Sequence, residues 1–469
     1  MMKKLARLLV PALAALAACS PGPTAAQEQL AEPTRRAPAD VQSMKTSFAP
    51  VAKRAAPAVV NVYARRVVRQ RDPFFEMFGG GVPRARVQQS LGSGVIVRAD
   101  GVVVTNNHVV EGGQEFMVVL ADRREFAARV LVADPRTDLA VLKIDPGAER
   151  LPVLPIDDRE ELEVGDLVLA IGNPFGVGQT VTNGIISALN RTADPNGLDA
   201  SAFIQTDASI NPGNSGGALV DMDGDLVGVP TFILSRSGTS SGVSFAIPAA
   251  MVRRVVETAV GGGQVVVRPW LGAKGELVTS EIARSLGLAR PQGVLVSDVY
   301  SGGPSARAGV REGDIITAVD GATVDDPASL NYRVTTNRPG ETIELSLLRD
   351  GRPQRVRARI DAPPASPSRD ERLVDGPNPL RGATVANLSP AVADELGVDP
   401  FGGRGVVVVK AGRNYAAAAG FQTGDIIREI NGERISDTRQ LDATLDRGAR
   451  IWQVTIERNG RLITGQFRG

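Results

Sequence analysis

The sequence predicts a mainly β protein built of barrels, with a smaller domain present twice, and three observations carry that expectation. Nine short strand-like runs follow one another from Ser93 to Ile247, separated by turns, and long amphipathic helices are scarce. Glycine is abundant, 51 of 469 residues, while aromatic residues make up 4%, the composition of short strands joined by tight turns. The segment Ala308–Gly321 recurs as Ala419–Gly432 at a constant offset of 111 residues, Asp314 falling on Asp425. One offset of that length marks a duplicated domain rather than a solenoid.

Taken in order, the chain opens on an export signal. Lys3, Lys4 and Arg7 precede an apolar core from Leu8 to Ala18, too short to span a bilayer as a mature helix. The core ends Leu16-Ala-Ala-Cys19, which matches a bacterial lipoprotein signal with Cys19 acylated. Ordinary cleavage after Ala26 is the alternative. Residues 1–18 are therefore assigned to the signal, and 19–50, rich in Pro, Ala, Gln and charge, to a flexible tether. Residues 51–262 hold the strand-like runs, beginning with Val59–Tyr63 and closing with one helix over Pro248–Val260. Arg69–Gln89 is a polar, glycine-rich loop whose Phe74, Phe75 and Phe78 suggest contact with another subunit or a substrate. Residues 268–362 and 379–469 are the two copies of the repeated domain. The Pro/Ser-rich stretch 363–378 reads as a linker.

Composition narrows the chemistry. Basic and acidic residues nearly cancel, 53 against 52, so nothing points to nucleic acid or an acidic surface as partner. One Cys and one His exclude an internal disulfide and make a Cys/His zinc site nearly impossible. No metal or cofactor is expected. Any histidine-dependent chemistry must use His108.

The run Gln205–Leu219 places Ser215 among Gly213, Gly216 and Gly217, just before an apolar strand. Glycines let the backbone turn sharply enough to expose a hydroxyl. The N–H groups of Gly213 and Ser215, with Asn214 between them, fit an oxyanion hole. His108, at the end of Val104-Thr-Asn-Asn-His108, is the base available to Ser215. A carboxylate must fix its tautomer. Asp138, opening the apolar strand Leu139–Ile144, is the better candidate; Asp134, before Pro135, reads as a turn residue. The resulting order His, Asp, Ser fits a double β-barrel hydrolase. It excludes the nucleophile elbow suggested by Gly213-Asn-Ser-Gly-Gly217, because that fold needs a histidine after its serine.

Thr105-Asn-Asn-His108, Thr137-Asp138-Leu-Ala-Val, Ile171-Gly-Asn-Pro-Phe-Gly176 and Gly213-Asn-Ser215-Gly-Gly-Ala-Leu together resemble the HtrA/Deg (protease Do) family of serine endopeptidases, and the repeats resemble its PDZ domains. The resemblance covers nearly the whole mature chain. It implies a chymotrypsin-like double β-barrel followed by two PDZ domains, each a small α+β, partly open barrel. It further implies ATP-independent proteolysis of misfolded envelope proteins, assembly from trimers, and location in the bacterial periplasm. By the same resemblance Asn190–Ser201 is a sensor loop. Thr231–Gly242 and Ser209–Pro212 line the specificity pocket, with Ser209, Ile210, Pro212, Thr231, Phe232 and Val243 as substrate contacts. Pro230, where family members often carry Asn, removes a donor beside the groove. Small or β-branched residues are expected at the cleaved position.

In the repeats, Trp270-Leu271-Gly272 and Leu380-Arg381-Gly382 resemble carboxylate-binding loops, whose N–H groups hold a peptide C-terminus while the peptide adds as a strand. A second copy that only packs between subunits is the alternative for 379–469. Asp221–Asp225 is too short for a calcium loop and reads as a hairpin turn at Asp223-Gly224. Gly172–Gly178 lacks the βαβ setting of a phosphate loop. From a different class, a holdase or PDZ scaffold with a latent triad remains open.

Overall fold

The computed structural model describes residues 47–70, 84–157, 162–173, 178–192, 202–211, 213–233, 242–412 and 415–468. Cys19, Pro212, the loop phenylalanines Phe74, Phe75 and Phe78, and most of the expected sensor loop Asn190–Ser201 and of the expected specificity loop Thr231–Gly242 lie outside them.

The first six strands are β1 (Val59–Gln70), β2 (Arg84–Arg98), β3 (Val102–Asn106), β4 (Glu115–Val119), β5 (Glu125–Asp134) and β6 (Leu139–Ile144). They close into a barrel in the order β1-β2-β3-β6-β5-β4, all neighbours antiparallel. A second barrel follows from β7 (Leu167–Gly172), β8 (Thr180–Thr192), β9 (Ala202–Thr206), β10 (Ala218–Val220), β11 (Leu226–Ile233) and β12 (Ser244–Pro248), in the order β10-β11-β12-β9-β8-β7. β-branched and leucine side chains alternate between two surfaces of each strand. In β3, for example, Val103 faces the core of its own barrel with Val62, Ile96 and Leu142. Val102 and Val104 face a cluster shared with the second barrel, beside Leu169, Ile171 and Val220. Both faces are therefore apolar, and β3 reads as a continuous hydrophobic run. The helix Ala249–Val260 inserts Val252, Val255 and Val256 into the shared cluster. The shared cluster is what presses the two barrels together, and the residues between them are where loops from both meet.

Two sheets follow. β13 (Ala273–Leu277), β14 (Val294–Val299), β15 (Ile315–Val319), β16 (Ala322–Thr323), β17 (Thr342–Arg349) and β18 (Arg352–Arg359) form the first, in the order β13-β14-β15-β17-β18 with β16 beside β15. β19 (Arg372–Leu373), β20 (Thr384–Asn387), β21 (Val406–Lys410), β22 (Ile426–Ile430), β23 (Glu433–Arg434), β24 (Ile451–Arg458) and β25 (Arg461–Arg468) form the second, in the order β19-β20-β21-β22-β24-β25 with β23 beside β22. The repeat seen in the sequence thus has one topology twice, plus one additional strand. Its most specific internal bond is repeated too. Buried Asp314 takes a two-pronged contact from Arg349 (2.7 and 2.6 Å), and buried Asp425 takes the same from Arg458 (2.6 and 2.7 Å). Such bidentate pairs fix geometry as well as charge.

The additional strand, β19, falls inside the stretch read from composition as a linker. Two residues are too few to show any periodicity. Among the described residues, no helix is long and apolar enough to cross a membrane.

Candidate active site

Ser215 sits in a turn whose hydrogen bonds run inward. Asn214 N–H donates to the Asn211 carbonyl (3.0 Å), Gly217 N–H to the Asn214 carbonyl (2.9 Å) and Gly216 N–H to the Pro230 carbonyl (3.0 Å). Gly213 and Gly216 have positive φ, +107° and +81°. A Cβ on Gly216 would stand 2.3 Å from the Ser93 carbonyl oxygen, and one on Gly217 2.3 Å from that of Ile171. Only glycine permits both approaches.

This turn orients the donors. A trans peptide holds its C=O and N–H on opposite sides. The Asn214 carbonyl points inward to Gly217, so the Ser215 N–H points outward. Among the described residues neither it nor the Gly213 N–H has an acceptor. Asn214, expected in the oxyanion hole, needs correction as a donor: it is 1% exposed, and its N–H and carbonyl are both spent inside the turn, on Asn211 and Gly217.

Sequence reasoning missed the residue that holds this loop. Ser93 is fully buried. Its hydroxyl donates to the Gly213 carbonyl (2.6 Å) and accepts from Asn173 N–H (2.9 Å). Its N–H donates to the Ser215 carbonyl (3.0 Å), and its own carbonyl accepts from the Thr105 hydroxyl (2.7 Å). The available signal was a serine between two glycines in an apolar strand, because a buried hydroxyl needs partners.

β3 ends at Asn106, and one short helical turn, Asn107–Val110, carries His108. Asp138 lies across from it in the left-handed region, φ +56°, which Asp tolerates better than most residues. The Asp138 carbonyl accepts from Asn107 N–H (3.0 Å) and from Asn106 Nδ2 (2.8 Å). Its carboxylate accepts His108 N–H (3.0 Å at Oδ1) and lies 2.8 Å (Oδ2) and 3.0 Å (Oδ1) from His108 Nδ1. A carboxylate only accepts, so the imidazole proton stays on Nδ1 and the Nε2 lone pair is free. The histidine side chain is half exposed, while that of Asp138 is nearly buried.

Thr231 was expected to line a pocket. Its hydroxyl instead donates to Asp138 Oδ2 at 2.5 Å, in the range of a charge-assisted bond, and its carbonyl accepts from Ser215 Oγ (3.2 Å). Among the described residues no hydrogen bond joins Ser215 to His108. Asp134, the rejected alternative, meets Thr137 Oγ1 (2.7 Å) and Arg268 (2.7 Å).

The remaining expected substrate contacts separate. The Ser209 carbonyl accepts from Thr182 Oγ1 (2.9 Å). Ile210 needs correction as a contact: it is 1% exposed and packs in the second barrel with Val168 and Leu219. An apolar side chain after a polar turn entered the core. Phe232 stacks on Phe245 (4.9 Å) and meets Phe203 edge-on (5.1 Å). Val243 packs half-buried on the shared cluster. The turn predicted at Asp223-Gly224 is present, with Gly224 N–H on the Asp221 carbonyl (3.2 Å) and Gly224 at φ +80°.

The two repeat loops differ. In the first, Trp270 N–H pairs with the Asp361 carbonyl (2.8 Å) and the Leu271 carbonyl accepts from Ser305 N–H (2.9 Å). The N–H groups of Leu271 and Gly272 have no acceptor among the described residues. In the second loop every corresponding donor is engaged. Leu380 N–H reaches Asn378 Oδ1 (3.0 Å), Arg381 N–H the Asn378 carbonyl (3.3 Å) and Gly382 N–H the Val374 carbonyl (2.7 Å).

Comparison with known proteins agrees with this architecture. Residues 92–229 match the trypsin-like peptidase domain, and residues 269–360 match the PDZ domain. The chain is 37% identical over 431 residues to the periplasmic pH-dependent serine endoprotease DegQ of Escherichia coli K12, covering 90% of this chain and 91% of that protein. It is 39% identical over 420 residues to a probable periplasmic serine endoprotease, DegP-like, of Halomonas elongata, covering 84% of this chain and 86% of the relative. Among solved structures, the HtrA-type protease AlgW with a decapeptide is similar at 44% identity and a TM-score of 0.51, covering 68% of this chain and 99% of AlgW.

Proposed function

The chain belongs to the HtrA-type family of periplasmic serine endoproteases that includes DegQ and its DegP-like relatives, and from that membership we propose how its residues divide the work of peptide-bond hydrolysis. Ser215 Oγ attacks the scissile carbonyl. His108 Nε2 takes the hydroxyl proton and returns it to the leaving amine. Asp138 holds the ring and balances the imidazolium. The N–H groups of Ser215 and Gly213 receive the oxyanion. Water then repeats the sequence on the acyl-enzyme. The observation that carries this reading is the His108–Asp138 pair, 2.8 Å apart, beside a turn whose serine N–H points outward.

In the resting chain the Ser215 hydroxyl lies on the Thr231 carbonyl, so attack begins with its rotation toward His108. That same observation favours the second reading, a holdase or scaffold with a latent triad. A fluorophosphonate probe separates them. Labelling of Ser215, enhanced by a C-terminal peptide, is expected; no labelling with or without peptide would favour the scaffold. Ser215→Ala and His108→Ala should each lower turnover of unfolded casein on the order of 10⁶-fold. Digestion persisting in Ser215→Ala would remove the assignment.

The substrates are unfolded envelope polypeptides, cleaved after small or β-branched residues. The first repeat captures C-terminal peptides through the unengaged Leu271 and Gly272 N–H groups beside Trp270. AlgW, the solved relative, carries bound peptide. The second repeat is also a PDZ domain, a reading supported by its matching topology and its Asp425–Arg458 pair. Assembly into trimers and acylation of Cys19 follow the family resemblance and the sequence Leu16-Ala-Ala-Cys19. A monomeric sedimentation coefficient, or no palmitate incorporated by expressing cells, would exclude each in turn.

A further inference from the structure

We propose that residues 369–374 are a built-in ligand of the second repeat, a strand of the chain itself lying where an external peptide would dock. The proposal rests on reading that repeat as a PDZ domain. Peptides dock on such domains by adding a strand to an open sheet edge, with the terminal carboxylate on backbone N–H groups and alternate side chains in pockets. Each of those positions is filled here by Arg369 to Val374.

Arg372 and Leu373 pair antiparallel with Val385 and Thr384 of β20, on the edge away from β21. The pairing continues at both ends. Asn387 N–H donates to the Arg369 carbonyl (2.8 Å), and Val374 N–H donates to the Ala383 carbonyl (2.9 Å). At the loop, the Val374 carbonyl takes the Gly382 N–H at 2.7 Å, where a carboxylate oxygen would otherwise accept. The Val374 side chain is 3% exposed and packs in one cluster with Leu380, Leu441 and Leu445. Leu441 and Leu445 belong to the helix Thr438–Asp446, so the segment lies between β20 and that helix. Polar contacts fasten the same face, which Asp370 and Arg372 share with Val374, to that helix. Asp370 accepts from the Thr438 hydroxyl (2.8 Å), and Arg372 donates to Asp442 (2.5 Å).

The first repeat supplies the control within one molecule. Among the described residues nothing pairs with the outer edge of β13, and the Leu271 and Gly272 N–H groups are without acceptors. The two edges therefore differ: among the described residues no strand of the chain pairs with the outer edge of β13, whereas that of β20 is covered by the chain's own tether. An intramolecular strand competes at the high effective concentration of a short linkage, so a free peptide at ordinary concentration does not displace it.

Two measurements on the full chain carrying Ser215→Ala test this. In hydrogen exchange without peptide, the amides of Gly382 and Asn387 should exchange roughly a hundredfold more slowly than those of Leu271 and Gly272. Equal exchange would mean that the segment is not seated, and the proposal fails. In calorimetric titration with a decapeptide ending in a free Val carboxylate, Val374→Asp, or the milder pair Val374→Gly with Arg372→Ala, should gain one binding equivalent over the parent chain. That gain is the supporting result whether the parent binds one equivalent or none. Slow exchange in the parent with no equivalent gained by either folded variant overturns the proposal by removing the peptide-binding reading beneath it. A parent that already binds at both repeats overturns it directly.

Discussion

Ser93 shows how a residue remote from the reacting atoms sets their geometry. Its hydroxyl is the donor to the Gly213 carbonyl, so it fixes the peptide that precedes the outward Ser215 N–H. Ser93→Ala leaves that carbonyl and Asn173 N–H without their partner in a buried site, at about 1–3 kcal/mol. The expected result is a fall in kcat on the order of tenfold to a hundredfold at little changed KM, because an oxyanion donor acts mainly in the transition state. Tighter binding of a peptide aldehyde to the parent than to the variant would report the same loss; equal affinity would place Ser93 outside the donor geometry. His108 was legible because it is the one imidazole in the sequence, and Ser215 because glycines surround it. Ser93 and the Thr231 hydroxyl were not, since their partners lie 120 and 93 residues away and no local pattern announces such bonds.

At the scale of elements, barrel strands were readable because each buries at least one face and so repeats apolar residues. β19 was not, because its register comes from its neighbours. The pair that closes it responds to acid. The Thr438 hydroxyl, and after it the Arg372 guanidinium, hold the Asp370 carboxyl below its usual range. A carboxyl lowered in the folded state stabilises above its unfolded value, about 3.9, and loses that contribution as pH falls through the lower folded one. The difference in melting temperature of the second repeat between the parent and Asp370→Asn should therefore be constant above about pH 5 and shrink below about pH 4. A difference growing toward acid would reverse the assignment.

Across the molecule, the turn that carries Asp138 is gripped by regions beyond the barrels. Arg268, in the connection to the first repeat, pairs with Asp134 at 2.7 Å with both side chains at most 10% exposed. Arg136 pairs with Asp394 of the second repeat at 2.7 Å in a more open setting. Breaking a buried pair strands a charge, so Arg268→Ala should destabilise the barrel domain by about 3–5 kcal/mol. Asp394→Ala should change it by no more than about 1 kcal/mol. Thermal unfolding with the order reversed would contradict the burial argument. The sequence showed Asp134 only as a turn residue, because its partner belongs to a different domain.

A chain with one imidazole, its Nδ1 proton fixed on a carboxylate, is also its own spectrometer. Grown with ring-labelled histidine, the protein yields a single heteronuclear signal that needs no assignment. A strongly hydrogen-bonded proton of that kind resonates far downfield of the amide envelope. Its frequency, followed while ligand is added, would read the state of the hydrolytic centre directly, without any substrate being cut.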